Sequence, residues 1–159
     1  MTIAVGDKIP EAVLNTMKDG VQALDINEIF AGKKVLLFAL PGAFTPTCSA
    51  KHLPGYIEKL SEFEKRGIDV ACLSVNDAFV MGAWAKDQQV PEQLQMLADG
   101  NGAFTRSLGL ELDATPFGMG LRAKRFALYA EDGVVKQLHV EAPGEFRVSS
   151  ADYVLEHLA

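Results

Sequence analysis

Cysteine is scarce, with only Cys48 and Cys72 in 159 residues. Two thiols cannot form a disulfide scaffold, and a chain of this length buries enough core to fold without one. Histidine is nearly as rare, at His52, His139 and His157. Cys48 and His52 would supply two of the four ligands a structural metal wants, so no metal and no cofactor are expected. No apolar run approaches the roughly 20 residues that cross a bilayer; Val35 to Leu40 has the length of a strand. Positive charge is also in deficit, with 15 Lys and Arg against 21 Asp and Glu. An acidic surface repels phosphate backbones, and the short basic group Arg122-Ala123-Lys124-Arg125 does not reverse that, which excludes nucleic acid as a partner. The opening MTIAVGDKIPEA lacks the basic-then-apolar pattern of a secretory signal, so a cytoplasmic location is expected. In a reducing compartment thiols are reactive groups rather than staples.

Neither repeats nor linker-like tracts interrupt the chain, so residues 1–159 read as one domain. Residues 11–26 suggest short strands about a Lys18-Asp19-Gly20 turn. Lys34 to Leu40 is continuously apolar after its first residue, as a strand covered on both faces should be. A helix is predicted from Thr45-Pro46, an N-cap followed by a residue preorganised for the first helical position, to Arg66-Gly67. Pro54 lies within it and should kink it. Ile68 to Val75 is a second buried strand, Asn76-Asp77 caps a helix through Trp84 and Lys86, Leu94 to Leu97 is a third strand, and Gly102 to Leu108 a short helix. Arg125 to Ala130 and Val134 to Val140 form a hairpin about Asp132-Gly133. Ser149 and Ser150 cap a last helix carrying Tyr153, Val154, Leu155 and Leu158. Strands alternating with helices and closed by a hairpin give an α/β, thioredoxin-like fold, a mixed central sheet flanked by helices.

The strand-to-helix elbow from Pro41 to Cys48 carries the chemistry. With Thr45 as N-cap, Cys48 occupies the third helical position, where unpaired N–H groups and the helix dipole stabilise a thiolate over a thiol. Thr45, one turn earlier, brings a hydroxyl that can donate to the thiolate and accept from an incoming O–H. Pro41 has no N–H and shields the sulfur from bulk water. On position alone, an inert buried cysteine is about as good a reading as a reactive one.

The residues around it decide the matter. Pro41, Thr45 and Cys48 match the Pro-x-x-x-Thr-x-x-Cys signature, and PGAFTPTCSAKHLPGY (41–56) resembles the version of that signature found in type II peroxiredoxins, the peroxiredoxin five-type subfamily. The resemblance continues through VGDKIP (5–10), CLSVNDAFVMGAW (72–84), LADG (97–100) and KRFAL…DGVVK (124–136). It implies that Cys48 is oxidised by peroxide to a sulfenic acid, that Thr45 and Pro41 orient and shield, and that Arg125 is the active-site arginine. A guanidinium keeps its charge and presents several donors in one plane, which suits both a thiolate and the charge developing on peroxide oxygens. Thr47, Phe117, Met119 and His52 are placed beside the substrate, His52 as a structural neighbour rather than a base. Arg122 is read as a surface residue.

Cys72 lies in an apolar strand, where a thiol is usually inert. Relatives that resolve the sulfenic acid internally carry a cysteine in the C-terminal region, where this chain has EFRVSSADY and no thiol. A one-cysteine cycle is therefore expected, recycled by glutathione with or without glutaredoxin, or second by thioredoxin. The alternatives are a Cys48–Cys72 disulfide, or a non-catalytic redox-sensing or chaperone module of the same fold. A Cys-x-x-Cys reductase is excluded by Ser49, Ala50 and Lys51, and no His and carboxylate constellation supports a cysteine hydrolase. The resemblance also implies a homodimer, with Phe44 and Phe79 as apolar contact candidates.

Overall fold

The computed structural model describes residues 2–158; Met1 and Ala159, the ends of the expected 1–159 domain, lie outside the described residues. A seven-stranded sheet forms the centre, in the order β2-β1-β5-β4-β3-β8-β9. Its strands are β1 (Val13–Met17), β2 (Val21–Asp25), β3 (Lys34–Ala39), β4 (Ile68–Ser74), β5 (Leu94–Ala98), β8 (Phe126–Glu131) and β9 (Val134–Val140). A separate two-stranded hairpin joins β6 (Glu111–Asp113) to β7 (Leu121–Ala123). The middle strands β3, β4 and β5 run parallel, while β1 and β8 border them antiparallel.

Two apolar layers explain the continuous hydrophobic runs. Along β3, Val35, Leu37 and Ala39 join one core, while Leu36 and Phe38 join the other. The first core packs under α1 (Ile26–Phe30) and α4 (Ala103–Leu108); the second packs under α2 (Leu53–Lys65), α3 (Ala78–Asp87) and α5 (Ala151–His157). A strand buried on both faces has no polar side to alternate with, so its sequence shows no period of two.

The register places the site. Ala39, the last residue of β3, pairs with Phe126, the first of β8. The chain leaving β3 towards Cys48 and the chain entering β8 through Arg125 therefore meet at one end of the sheet.

The predicted helix start holds, with helical backbone from Pro46, and Ser49 N–H donates to Thr45 C=O at 3.0 Å. The irregularity at Pro54 takes a specific form. A π-helical turn spans Cys48–His52 just before it, and Leu53 N–H reaches back five residues to Cys48 C=O. The wider turn draws the chain away from the clash that a proline ring makes with the carbonyl four residues before it. Four elements stand where none is expected from sequence: α1, the short strands β6 and β7, and the single 3-10 turn Thr115–Phe117 between those strands.

Candidate active site

Cys48 is fully buried at the head of the π turn. Arg125 Nη2 donates to its Sγ at 3.1 Å, bridging 77 residues of sequence. The other arm of the guanidinium, Nη1, lies 2.8 Å from His52 Nδ1. His52 Nε2 in turn lies 3.1 Å from the carbonyl oxygen of Ser149. A carbonyl only accepts, so Nε2 carries the ring proton and Nδ1 offers a lone pair to Arg125. Burial, with the adjacent Arg125 charge second, lowers the His52 pKa to about 3, and the ring stays neutral. Phe146 closes over this pair, its ring 5.0 Å from the His52 ring and 5.7 Å from Arg125 Cζ.

Thr45 departs from its expected role. Its hydroxyl donates to the carbonyl of Gly42 at 2.7 Å rather than to the sulfur, which leaves its lone pairs to accept an O–H. His52, expected beside the substrate, sits one layer back, fully buried behind Arg125. Arg122 is not a surface residue. It is half-buried, its Nε donates to Met119 C=O at 2.9 Å and its Nη1 to Pro41 C=O at 3.4 Å, tying the β6–β7 hairpin to the elbow. Gly42 makes room for it, since a Cβ there would stand 2.9 Å from Arg122 Nη1.

A cleft of 640 Å³ opens over this arrangement, walled by Pro41, Thr47, Arg125, Phe117, Met119 and Phe146, with Lys51 and Lys124 at its rim. Phe117 stands 79% exposed on the Thr115–Phe117 turn between β6 and β7, so it edges the mouth rather than sealing it. A larger basin of 780 Å³ lies at the opposite end of β3, around Lys34, Arg66 and Tyr129, and holds neither cysteine nor histidine. Among the described residues no cluster of His, Cys, Asp and Glu suits a metal ion.

The elbow is held from behind. Asn76 Oδ1 accepts from Ala43 N–H at 3.0 Å, and Trp84 Nε1 donates to Ser49 Oγ at 3.0 Å. Phe44 between them adopts a φ of 64°, a strained value for a bulky residue and an unusual one outside glycine. Cys72 lies mid-strand in β4, opposite Phe38 and Met96 in the neighbouring strands, and is fully buried. Burial, and next the nearby Cys48, push its thiol pKa well up. Both cysteines are free. Sequence reasoning misses Phe146, Ser149 and Glu141 at this site. The only hint is a carboxylate, Glu141, interrupting the apolar end of β9 before Pro143-Gly144.

The family model described as Redoxin matches residues 4–155. Peroxiredoxin-2E, chloroplastic, of Arabidopsis thaliana is 50% identical over 99% of this chain and 70% of its own length. Peroxiredoxin-2B of the same plant is 48% identical over 98% of both chains. The structure of reduced Prx3 from Vibrio vulnificus in complex with hydrogen peroxide superposes with a TM-score of 0.95 at 49% identity, covering 99% of this chain and 100% of that one.

Proposed function

The chain belongs to the peroxiredoxins of the Redoxin family and is a thiol peroxidase of their type II kind, and we propose that it works by a one-cysteine cycle centred on Cys48. The observation that supports Cys48 as the reacting thiol is the 3.1 Å contact from Arg125 to its Sγ. The Cys48 thiolate attacks one peroxide oxygen, the O–O bond breaks, and sulfur keeps the hydroxyl as a sulfenic acid. The other oxygen leaves with the electron pair, its charge met by Arg125, and takes a proton from water. Thr45 accepts the peroxide O–H, and Pro41 and Thr47 wall the approach. Hydrogen peroxide and alkyl hydroperoxides are the substrates, the former in keeping with the ligand of the Vibrio vulnificus relative.

Resolution comes from outside. A reductant thiolate attacks the sulfenic sulfur, water leaves, and a second thiol releases Cys48 from the mixed disulfide. Three features support this. Cys72 is locked in the middle of the sheet, residues 145–153 contain no thiol, and a 640 Å³ cleft suits a tripeptide better than a folded protein. Glutathione, with or without glutaredoxin, is thus the preferred reductant over thioredoxin. With no internal thiol to trap it, the sulfenic acid is open to a second peroxide and sulfinic acid. A cytoplasmic location and a homodimer complete the reading. The cycle needs a reducing thiol pool, and Phe44, Phe79 and Phe117 leave large apolar side chains exposed.

Intact mass tests the cycle. Reduced protein given about one equivalent of hydrogen peroxide, then quenched, should gain one oxygen on Cys48 and lose it on adding glutathione. Loss of two hydrogens, absent in Cys72→Ser, would establish a Cys48–Cys72 disulfide instead. No change within seconds would remove Cys48 as the peroxide-reactive thiol.

A further inference from the structure

Glu141 follows the last residue of β9 and is 7% exposed. Its backbone N–H donates to Arg125 C=O at 2.9 Å, extending the β8–β9 ladder by one step. Its carboxylate takes every backbone N–H of the loop 147–149 and the Ser149 hydroxyl. Oε1 accepts from Arg147 N–H at 2.9 Å. Oε2 accepts from the N–H groups of Arg147, Val148 and Ser149 at 2.8, 2.8 and 2.9 Å, and from Ser149 Oγ at 2.6 Å. Among the described residues no Lys or Arg side chain pairs with it. Burial raises its pKa, but the Ser149 hydroxyl and the three backbone donors outweigh that and leave it below the usual carboxylate range. A buried charge satisfied by one loop's backbone is a rigid anchor for that loop.

What the anchor holds is the Ser149 peptide. The Ser149 N–H donates to Glu141, and the Ser149 carbonyl, in the next peptide unit, accepts from Tyr56 Oη at 2.7 Å and from His52 Nε2 at 3.1 Å. That carbonyl fixes which ring nitrogen of His52 is protonated, and so whether Nδ1 can accept from Arg125. We propose that Glu141 is a positioning residue for peroxide reduction: through Ser149 and His52 it sets the aim of Arg125 on Cys48, while its own N–H pins the Arg125 backbone. The inference rests on Cys48 and Arg125 acting as described above. A plain loop cap would steady residues 147–149 without touching the chemistry.

Glu141→Gln separates the two. Its amide NH2 would face N–H groups, so the loop carbonyl shifts. A misplacement of about 1 Å at a reacting group costs roughly 10²-fold in rate. The rate of Cys48 oxidation by hydrogen peroxide should fall by about that factor, while alkylation of Cys48 by iodoacetamide, which needs the thiolate but no donor to a leaving oxygen, falls much less. In parallel, 15N-labelled histidine should show His52 losing its single Nε2-protonated form. Wild-type protein run beside it guards the premise: no oxidation there would sink the peroxidase role of Cys48, not the role of Glu141. A variant of lowered melting temperature with a wild-type oxidation rate and an unchanged His52 signal overturns the proposal, as does an equal loss of both rates. Ser149→Ala removes only the 2.6 Å hydroxyl bond and is the companion should Glu141→Gln not fold. A smaller loss in oxidation alone supports the relay, and wild-type behaviour in both readouts overturns it.

Discussion

Arg125 donates in two directions from one planar group, to Cys48 Sγ at 3.1 Å and towards His52 Nδ1 at 2.8 Å. A lysine ammonium cannot span both partners in fixed geometry, and a methionine keeps the bulk without the charge. Arg125→Met should therefore slow the stopped-flow oxidation of Cys48 by roughly 10²- to 10³-fold, the usual loss for one preorganised donor at a developing charge. His52 carries a second consequence, in stability. Its pKa is about 3 when folded against 6.5 for the free side chain. Between those values the unfolded chain binds one more proton than the native one, so stability falls as pH drops and is fully retained above 6.5. His52 alone should cost about 1.4 kcal/mol per pH unit well below 6.5. Urea unfolding at pH 6.0, 5.5 and 5.0 should show a steeper loss for wild type than for His52→Asn, and parallel curves would refute the assignment. Glu141, held below the usual carboxylate range by its loop donors, also costs stability as the pH falls towards that range, and the comparison with His52→Asn cancels its share.

At the scale of elements, the π turn Cys48–His52 and the proline that follows are one device. Pro54 has no N–H to complete an α-helical turn, and the wide turn absorbs the defect just where Cys48 and His52 must both face Arg125. Pro54→Ala restores the missing donor and favours regular α register. Thermal unfolding should show equal or higher stability, with peroxide reduction slowed about tenfold or more through displacement of Cys48; unchanged activity would mean that the turn does not depend on the proline. The sequence signals Pro54 as an interruption but not its form, because a kink and a π turn solve the same clash. Elements with a strong pattern are legible: β3 as a continuous apolar run, β4 as a mostly apolar buried strand, α3 through its Asp77 cap, and the Asp132-Gly133 hairpin. Short elements are not. Helix α1 has five residues, and its one signal is the capping box of Asp25 and Glu28. Strands β6 and β7 have three residues each, too few for any period to show. At the site, Cys48 is legible from its place at a helix start together with the Pro41 and Thr45 signature, and Arg125 only through family likeness. The Ser149 carbonyl and the Glu141 anchor are invisible, because backbone orientation across 97 residues leaves no trace in residue type.

At the scale of the whole molecule, a single sheet brings distant segments to one end. The antiparallel pairing of β3 with β8 aligns the nucleophile's strand with that of its cation, and β9 carries the chain on to residues 141–149 beside them. Phe44 and α3 share a flank of this end, with the Phe44 ring 6.5 Å from Trp84, and Phe79 stands 70% exposed on the same helix. Sedimentation of the wild-type protein at micromolar concentration should give the proposed dimer, and Phe79→Asp should shift it to monomer with little change in melting temperature; a wild-type monomer refutes the interface. The order in which these segments are synthesised has a consequence of its own. Cys48 emerges from the ribosome 77 residues before Arg125, and His52 emerges 97 residues before Ser149. Through most of translation the elbow thus exists without its guanidinium or its histidine lock, and the nascent polypeptide carries an unarmed cysteine. The complete peroxide-reducing arrangement is therefore assembled only when the late segments dock.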